Sequence, residues 1–190
     1  MRFCALILLF IVMGCASPKS PLRSHVLPSA VLGNGSEVFA AYHVTFYRQG
    51  NTHKFLMHLE VFPDHVSLVG LGALGEVLFE CRYDKSQAEK CDTLVEGIPA
   101  VMLLQDIELI YWPLDELNSK IKHSSFSLTE TAQRRVLLYR QRILSEITYE
   151  KERSLLSRVT LDNKKYNYQL HIEPLYGKID NDYFFGVDHE

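Results

Sequence analysis

The chain has 190 residues and a formal net charge of −3, and 47% of its residues are hydrophobic. A small negative charge argues against the basic surface that nucleic-acid binding needs, and the apolar content argues against a disordered chain. Without residues 1–14, the length predicts one domain with a core of its own.

The first residues have the layout of a secretory signal peptide, with Arg2 before a short apolar run at residues 4–13. The run ends in Val12-Met13-Gly14-Cys15, which resembles the lipobox of bacterial lipoproteins. In that family the cysteine thiol receives a diacylglycerol and the signal is removed. The resemblance implies that residues 1–14 are a lipoprotein signal peptide and that Cys15 is the lipidation site, with acyl chains such as palmitate. The alternatives are an ordinary secretory signal with a chance cysteine, or an uncleaved anchor.

Residues 15–37 are rich in Pro, Ser and Gly and predict a flexible tether. An alternation of period two follows and predicts four strands, joined by short connections that favour antiparallel neighbours. These strands contain Tyr42 to Phe46, Phe55 to Val61, Val66 to Leu68, and Val77 to Cys81.

The middle of the chain predicts one helix that opens at Pro99 and runs to Tyr111, and a second short helix over residues 114–121 after Pro113. Strand patterning then returns, and residues 176–190 are predicted to be a frayed C-terminal tail. The four later strands are predicted at residues 136–140, 143–149, 155–161 and 166–172.

This order predicts a mainly β (α+β) domain over residues 38–175. Its sheet would be antiparallel and strongly curved, an open half-barrel with one or two mid-chain helices covering the concave face.

Two cysteines remain once Cys4 leaves with the signal and Cys15 is lipidated. In an exported chain, Cys81 and Cys91 predict a disulfide across a polar loop. Metal binding is the weaker alternative, because the pair has no matching histidines.

The layout as a whole resembles LolB, the outer-membrane lipoprotein receptor of Gram-negative bacteria, over residues 38–174. The resemblance is carried by Gly72-Ala73-Leu74-Gly75-Glu76, at the place of an exposed leucine-bearing turn, and by Leu161-Asp162-Asn163 before an alternating strand. A smaller group of LolB-like lipoproteins of unknown function, often encoded with fatty-acid-like or aryl polyene biosynthesis enzymes, is more similar still. The segments that suggest this group are Leu103-Leu104-Gln105-Asp106, Tyr111-Trp112-Pro113 and Leu144-Ser145-Glu146-Ile147.

The resemblance implies a LolA/LolB-like half-barrel with an apolar cavity for acyl chains and a membrane-contact loop at Leu71 and Leu74. The alternative for the loop is a strand bulge whose leucines fold inward. The alternative for the cavity is a packed core, because both demand the same apolar face. The cavity residues expected are Phe55, Met57, Leu59, Trp112, Tyr166, Tyr168 and Leu170.

Nothing in the sequence forms a catalytic or metal-binding constellation. It contains no Gly-x-Ser-x-Gly elbow, and the spacing of His53, His58 and His65 fits no zinc motif. Arg134, Arg135, Arg140 and Arg142 form a modest basic zone, which is interpreted as a solvated face; the alternative is a contact with lipid head groups.

The expected function is therefore that of a non-enzymatic envelope lipoprotein without a cofactor or metal. It would bind a lipid, acyl chain or lipoprotein and assist its transfer to the outer membrane. It would be lipid-anchored there and face the periplasm, since Ala16 after the lipidated cysteine fits outer-membrane sorting in the lipoprotein family. The expected partners are the membrane, a hydrophobic cargo and a periplasmic LolA-like carrier, and no nucleic acid. The alternative is a structural accessory lipoprotein that scaffolds an envelope or biosynthetic complex without a ligand.

Overall fold

The computed structural model describes residues 37–84, 90–151, 153–179 and 182–185, which form one antiparallel sheet and two helices. The sheet order is β5-β4-β3-β2-β1-β10-β9-β8-β7-β6, and β11 pairs with the far part of β10. The strands are β1 (Val38–Arg48), β2 (Asn51–Val61), β3 (His65–Leu71), β4 (Val77–Asp84), β5 (Lys90–Thr93), β6 (Phe126–Thr131), β7 (Arg134–Tyr139), β8 (Arg142–Tyr149), β9 (Val159–Asn163), β10 (Tyr168–Ile179) and β11 (Asp182–Phe185).

The eight predicted strands are present, and their alternation reflects one buried and one outer face. In β2, for example, Phe55, Met57 and Leu59 are buried while the residues between them are half-buried. Three short strands were not predicted: β5, β6 and β11.

Two boundaries differ from the prediction. The strand predicted from residue 155 begins only at Val159, because Leu155 and Ser157 are buried in the preceding loop and imitate a strand pattern. The C-terminal tail predicted from residue 176 is wrong for its first part, since β10 continues to Ile179 and pairs there with β1 and β11.

The helices are confirmed as α1 (Ala100–Tyr111) and α2 (Leu114–Ile121). Pro99 directly precedes the first helical residue of α1. Proline is tolerated there because the N–H groups at the start of a helix have no intrahelical acceptor, so no hydrogen bond is lost. Pro113 separates the helices, and Trp112 between them is fully buried.

The sheet curves around α1. Strands β5 and β7 are separated by eight strand-to-strand spacings in the sheet order. In a flat sheet these spacings would add up to about 38 Å. A helix is only about 10–12 Å wide, yet α1 contacts β4 and β5 and is hydrogen-bonded to Arg135 of β7. The predicted fold class, an open and curved antiparallel sheet with helices on its concave face, is confirmed.

The antiparallel register gathers the turns at two ends of the sheet. We call one of these the upper end; it carries the turns at residues 49–50, 72–76, 140–141 and 164–167. The lower end holds the first residue of β1, Val38, together with the turns at 62–64 and 132–133.

Candidate functional site

The concave face is filled by α1 and by apolar side chains from both halves of the sheet. Most of the residues predicted to line a cavity lie in this core, each no more than 4% exposed: Phe55, Met57, Leu59, Trp112, Tyr168 and Leu170. Tyr166 is half-buried at the margin of the core. The structure thus brings the predicted cavity residues together, in a packed arrangement.

A small amphiphilic pocket lies beside this core, between α1 and the wall formed by β6 to β9. Its volume is about 30 Å³, enough for about one water molecule. The apolar side of the pocket is formed by Leu109, Phe126, Leu137, Leu144 and Tyr166, and the polar side by Gln105, Asp106, Ser145, Asn163 and Lys165. We refer to it as the α1 pocket.

The polar side of the α1 pocket is organised by the buried carboxyl of Asp106. The Tyr168 hydroxyl donates a hydrogen bond to Asp106 Oδ2. The Asn163 amide donates to Asp106 Oδ1 at 3.5 Å and to the Tyr168 hydroxyl oxygen at 3.1 Å. Burial raises the pKa of Asp106 to about 7, and the two donated hydrogen bonds oppose that rise. A group that changes charge near neutral pH therefore joins α1 to β9 and β10.

A second polar set holds the C-terminal end of α1. Arg135 and Arg153 each donate from Nη1, and Tyr149 from its hydroxyl, to the carbonyls of residues 109–112, at distances of 2.6–2.8 Å. Glu130 forms ion pairs with both arginines. These donors satisfy the carbonyls that a helix end leaves open and place positive charge at the negative end of its dipole.

The expectation of a solvated basic face is wrong for Arg135, which is fully buried. The physical reason is the buried helix end, whose carbonyls need donors inside the core. Another buried ion pair joins the two helices, with Lys120 Nζ 3.8 Å from Glu108 Oε2.

The predicted membrane-contact loop is the turn between β3 and β4, at the upper end. Leu74 is 94% exposed, the highest value among the exposed large hydrophobic side chains, while Leu71 is half-buried. The turn is held by a bond from the Leu74 N–H to Glu76 Oε2 at 3.0 Å, and Gly75 has a φ of +82°. The leucine at the tip of this turn projects outward, without a core contact of its own.

A second exposed leucine lies at the same end. Leu94 is 71% exposed and follows β5, with its N–H donating to the Leu78 carbonyl at 2.8 Å. Cys81 and Cys91, which face each other across β4 and β5, are joined in a disulfide. The link holds the short edge strand, and hence Leu94, beside the β3–β4 turn.

Other expected features lie outside these sites. The lipidation site Cys15 and the signal peptide are outside the described residues. Within the described ranges, no three His, Cys, Asp or Glu side chains come together as a metal site. In the same part of the chain, neither helix has the length and apolar character needed to cross a membrane.

Sequence reasoning missed Asp106 and Arg135. A usable signal was present for the first, because Asp106 and Glu108 interrupt a helix that is otherwise almost wholly apolar. A carboxyl on such a helix is buried and needs partners, or a role, inside the domain.

Comparison with known proteins gives a family and a distant structural likeness. A crystal structure of a domain from Vibrio parahaemolyticus, assigned to outer-membrane lipoprotein sorting, is 8% identical with a TM-score of 0.39, and the match covers 83% of this chain and 88% of that one. No curated protein matches the chain significantly. The model of a family described as a protein of unknown function, DUF3261, matches residues 40–176. The chain therefore belongs to the DUF3261 family.

Proposed function

We propose that the protein is a non-enzymatic envelope lipoprotein that binds an acyl chain in the α1 pocket and assists its transfer to the outer membrane. The observation that carries this proposal is the composition of the pocket. One side is apolar, and the other holds Asp106, Asn163 and Lys165, so a hydrocarbon tail and a polar group would each find a matching wall.

The described form of the pocket is closed, so binding requires it to widen. Pockets for small ligands typically hold 300 Å³ or more, about ten times the 30 Å³ seen here. Phe126 and Tyr166 line the pocket and are only half-buried, so moving their side chains outward would expose less apolar surface than moving a fully buried residue. Phe126 also begins the edge strand β6, which among the described strands is hydrogen-bonded to β7 alone. We therefore propose that the pocket opens at Phe126.

The anchor and the exposed leucine supply the membrane side of the proposal. Acylation of Cys15 would tether the domain through residues 15–37. The side chain of Leu74, with Leu71 behind it, would enter the interfacial region of the bilayer at little cost, since it has no core contact to lose.

The cargo proposed is an acylated product of envelope biosynthesis, delivered by a periplasmic LolA-like carrier. This assignment follows the likeness to LolB-like lipoproteins encoded with fatty-acid-like or aryl polyene enzymes. Transfer needs no cofactor, because burial of each methylene contributes about 0.8 kcal/mol and release requires only a better site.

The binding proposal is tested with a fluorescent fatty acid and with mass spectrometry of lipids that co-purify. Leu144→Trp places an indole in the pocket, and Leu156→Trp is the matched control at a more exposed position outside it. If the indole displaces about three methylenes, the affinity falls by roughly fiftyfold. Wild-type protein that is lipid-free and ignores the fatty acid would exclude a carrier.

The membrane contact is tested separately with Leu74→Glu. Because Leu74 is almost fully exposed, the free energy of unfolding should change by no more than about 0.5 kcal/mol. Transfer of cargo to vesicles should slow, while binding of the fatty acid stays as in the wild type. Normal transfer by this variant would remove the loop from the proposal.

A second candidate function is a ligand-free scaffold for an envelope complex. It is favoured by the close packing of Phe55, Met57 and Leu170, which the cavity hypothesis had placed around a ligand. Mass spectrometry separates the two, because a scaffold would carry no lipid in stoichiometric amount.

A further inference from the structure

The upper end of the sheet also carries a polar cleft, distinct from the α1 pocket. Its volume is about 320 Å³, and it lies between the β1–β2 turn and the β9–β10 turn. Three charged residues line it: Arg48, Asp162 and Lys164. Lys164 is ion-paired with Asp162, so the cleft keeps the positive charge of Arg48.

Arg48 has hydrogen-bonding capacity that its surroundings do not use. Its Nη1 donates to the Gly97 carbonyl at 3.4 Å, which is a long bond. Its Nε is buried and has no acceptor among the described residues. A buried guanidinium N–H without an acceptor is unfavourable. None of the described carboxylates forms an ion pair with Arg48, so its charge would attract an anion in the cleft that it lines.

The positive charge continues along the neighbouring hairpins. Lys165 follows Lys164, and its N–H donates to the Leu144 carbonyl at 3.2 Å, which joins the β9–β10 turn to β8. Arg140 and Arg142 flank the tip of the adjacent β7–β8 turn, and both are exposed. Among the residues that the structure describes, no carboxylate forms an ion pair with Arg140, Arg142 or Lys165. We call these three residues the basic strip; one of them, Lys165, also lines the α1 pocket.

The cleft and the basic strip share the upper end with Leu74 and Leu94. Apolar side chains beside a row of cations are the combination that binds the surface of an anionic bilayer. A free anion in solution would bind the cations but would make no contact that requires the exposed leucines.

The chain before β1 is long enough for this end to reach a membrane. β1 starts at the lower end, so the domain must turn its far end toward the bilayer, across about 35 Å of strand. Residues 15–37 span up to about 75 Å when extended. The tether therefore permits the orientation.

We propose that the cleft and the basic strip bind the phosphate groups of anionic phospholipids at a bilayer surface, while Leu74 and Leu94 enter the interface beside them. This inference rests on the proposed membrane anchor and on the contact at Leu74. It does not depend on binding of an acyl chain in the α1 pocket.

The test uses the full-length protein held by its own acyl anchor in vesicles. A fluorophore is attached through Gln141→Cys at the upper end or, as a control, through Gln133→Cys at the lower end. Vesicles contain a quencher-labelled lipid in phosphatidylcholine, with or without phosphatidylglycerol. We expect phosphatidylglycerol to increase quenching at position 141 and to leave position 133 unchanged.

Charge variants assign the effect to the cleft. Loss of one cation near an anionic surface should lower the ratio of docked to free domain about fivefold, so Arg48→Ala and Lys164→Ala should each reduce quenching at position 141. Lys151→Ala, an exposed lysine of the lower loop, is the matched control and should have no effect. Inorganic phosphate should not displace the domain from the vesicle surface. Displacement by phosphate would show that the cleft binds a free anion, and it would overturn the proposal that the cleft binds bilayer phospholipids.

The outcomes separate this inference from the proposed function. In one outcome, Leu74→Glu abolishes the quenching at position 141, but phosphatidylglycerol and Lys164→Ala do not change it. This outcome would support the leucine contact and overturn the phosphate site. Quenching at position 133 instead, or no association with vesicles at all, would overturn both.

Discussion

Replacing Asp106 by asparagine tests how one buried carboxyl makes folding depend on pH. Burial raises the pKa of Asp106 from 3.8 to about 7 in the folded chain. The folded state then holds this proton more tightly than the unfolded state does. Its contribution to stability is complete below about pH 4 and is lost as the pH rises to about 7. At 1.36 kcal/mol for each pKa unit, the loss is about 4 kcal/mol.

Urea unfolding of the wild type and of Asp106→Asn, from about pH 4 to about pH 8, measures this loss. The variant has no proton to release, and its amide can still accept from the Tyr168 hydroxyl. We expect its stability relative to the wild type to increase by about 4 kcal/mol across the range. Asp92→Asn, at an exposed position of β5, is the control. Parallel pH profiles of the wild type and Asp106→Asn would refute the reasoning.

Three further predictions concern packing, a helix end and a turn, and each is measured by urea unfolding. Gly70→Ala should lower stability by about 1–3 kcal/mol through overpacking, since the added Cβ would lie 2.1 Å from Phe79 Cε1. Arg135→Met should lower it by about 3–5 kcal/mol, because it removes the donor to two carbonyls of α1 and the buried partner of Glu130, which then keeps only its pair with Arg153. Gln141→Gly should raise stability by about 1 kcal/mol, since its φ of 63° suits glycine better.

Each of these three changes has a control in the same chain. Gly72→Ala would crowd the carboxylate end of Glu76, which can move away on this exposed turn at the cost of its bond from the Leu74 N–H. A loss as large as that of Gly70→Ala would therefore contradict the packing argument. Arg134→Met removes a half-exposed arginine and should cost no more than about 0.5 kcal/mol. Gln133→Gly, in a turn without positive φ, should be destabilising; equal effects at 133 and 141 would disprove the backbone explanation.

The central strands and α2 were predictable because a single face of each is buried, whereas α1 is buried on almost every side and was predictable from its apolar run between two prolines. The alternation from Phe55 to Val61 and the prolines at 99 and 113 encode local structure directly. The edge strands were not predictable in the same way. β5 has no buried residue, and β6 alternates only Phe126 and Leu128 with polar residues.

The candidate sites also differ in how far a local sequence pattern encodes them. The turn at Leu74 was expected from the resemblance, but whether its leucine points outward or folds inward was left open by the sequence. Whether Phe55 and Met57 line a cavity or fill a core depends on where α1 lies, which no local pattern encodes. The contacts of Asp106 with Asn163 and Tyr168, and of Arg135 with α1, join residues far apart in the chain, so the fold itself is needed to see them.

The pairing of β1 with β10 sets the order in which the domain can be completed. Val38, near the start of the described chain, faces Ile179, near its end. The first of the described strands therefore keeps one open edge until β10 has emerged. Such long-range pairing is slow, and an open apolar edge invites wrong partners in the meantime. A chain truncated before Tyr168 would keep that edge permanently, so its principal defect would be aggregation rather than the loss of any single site.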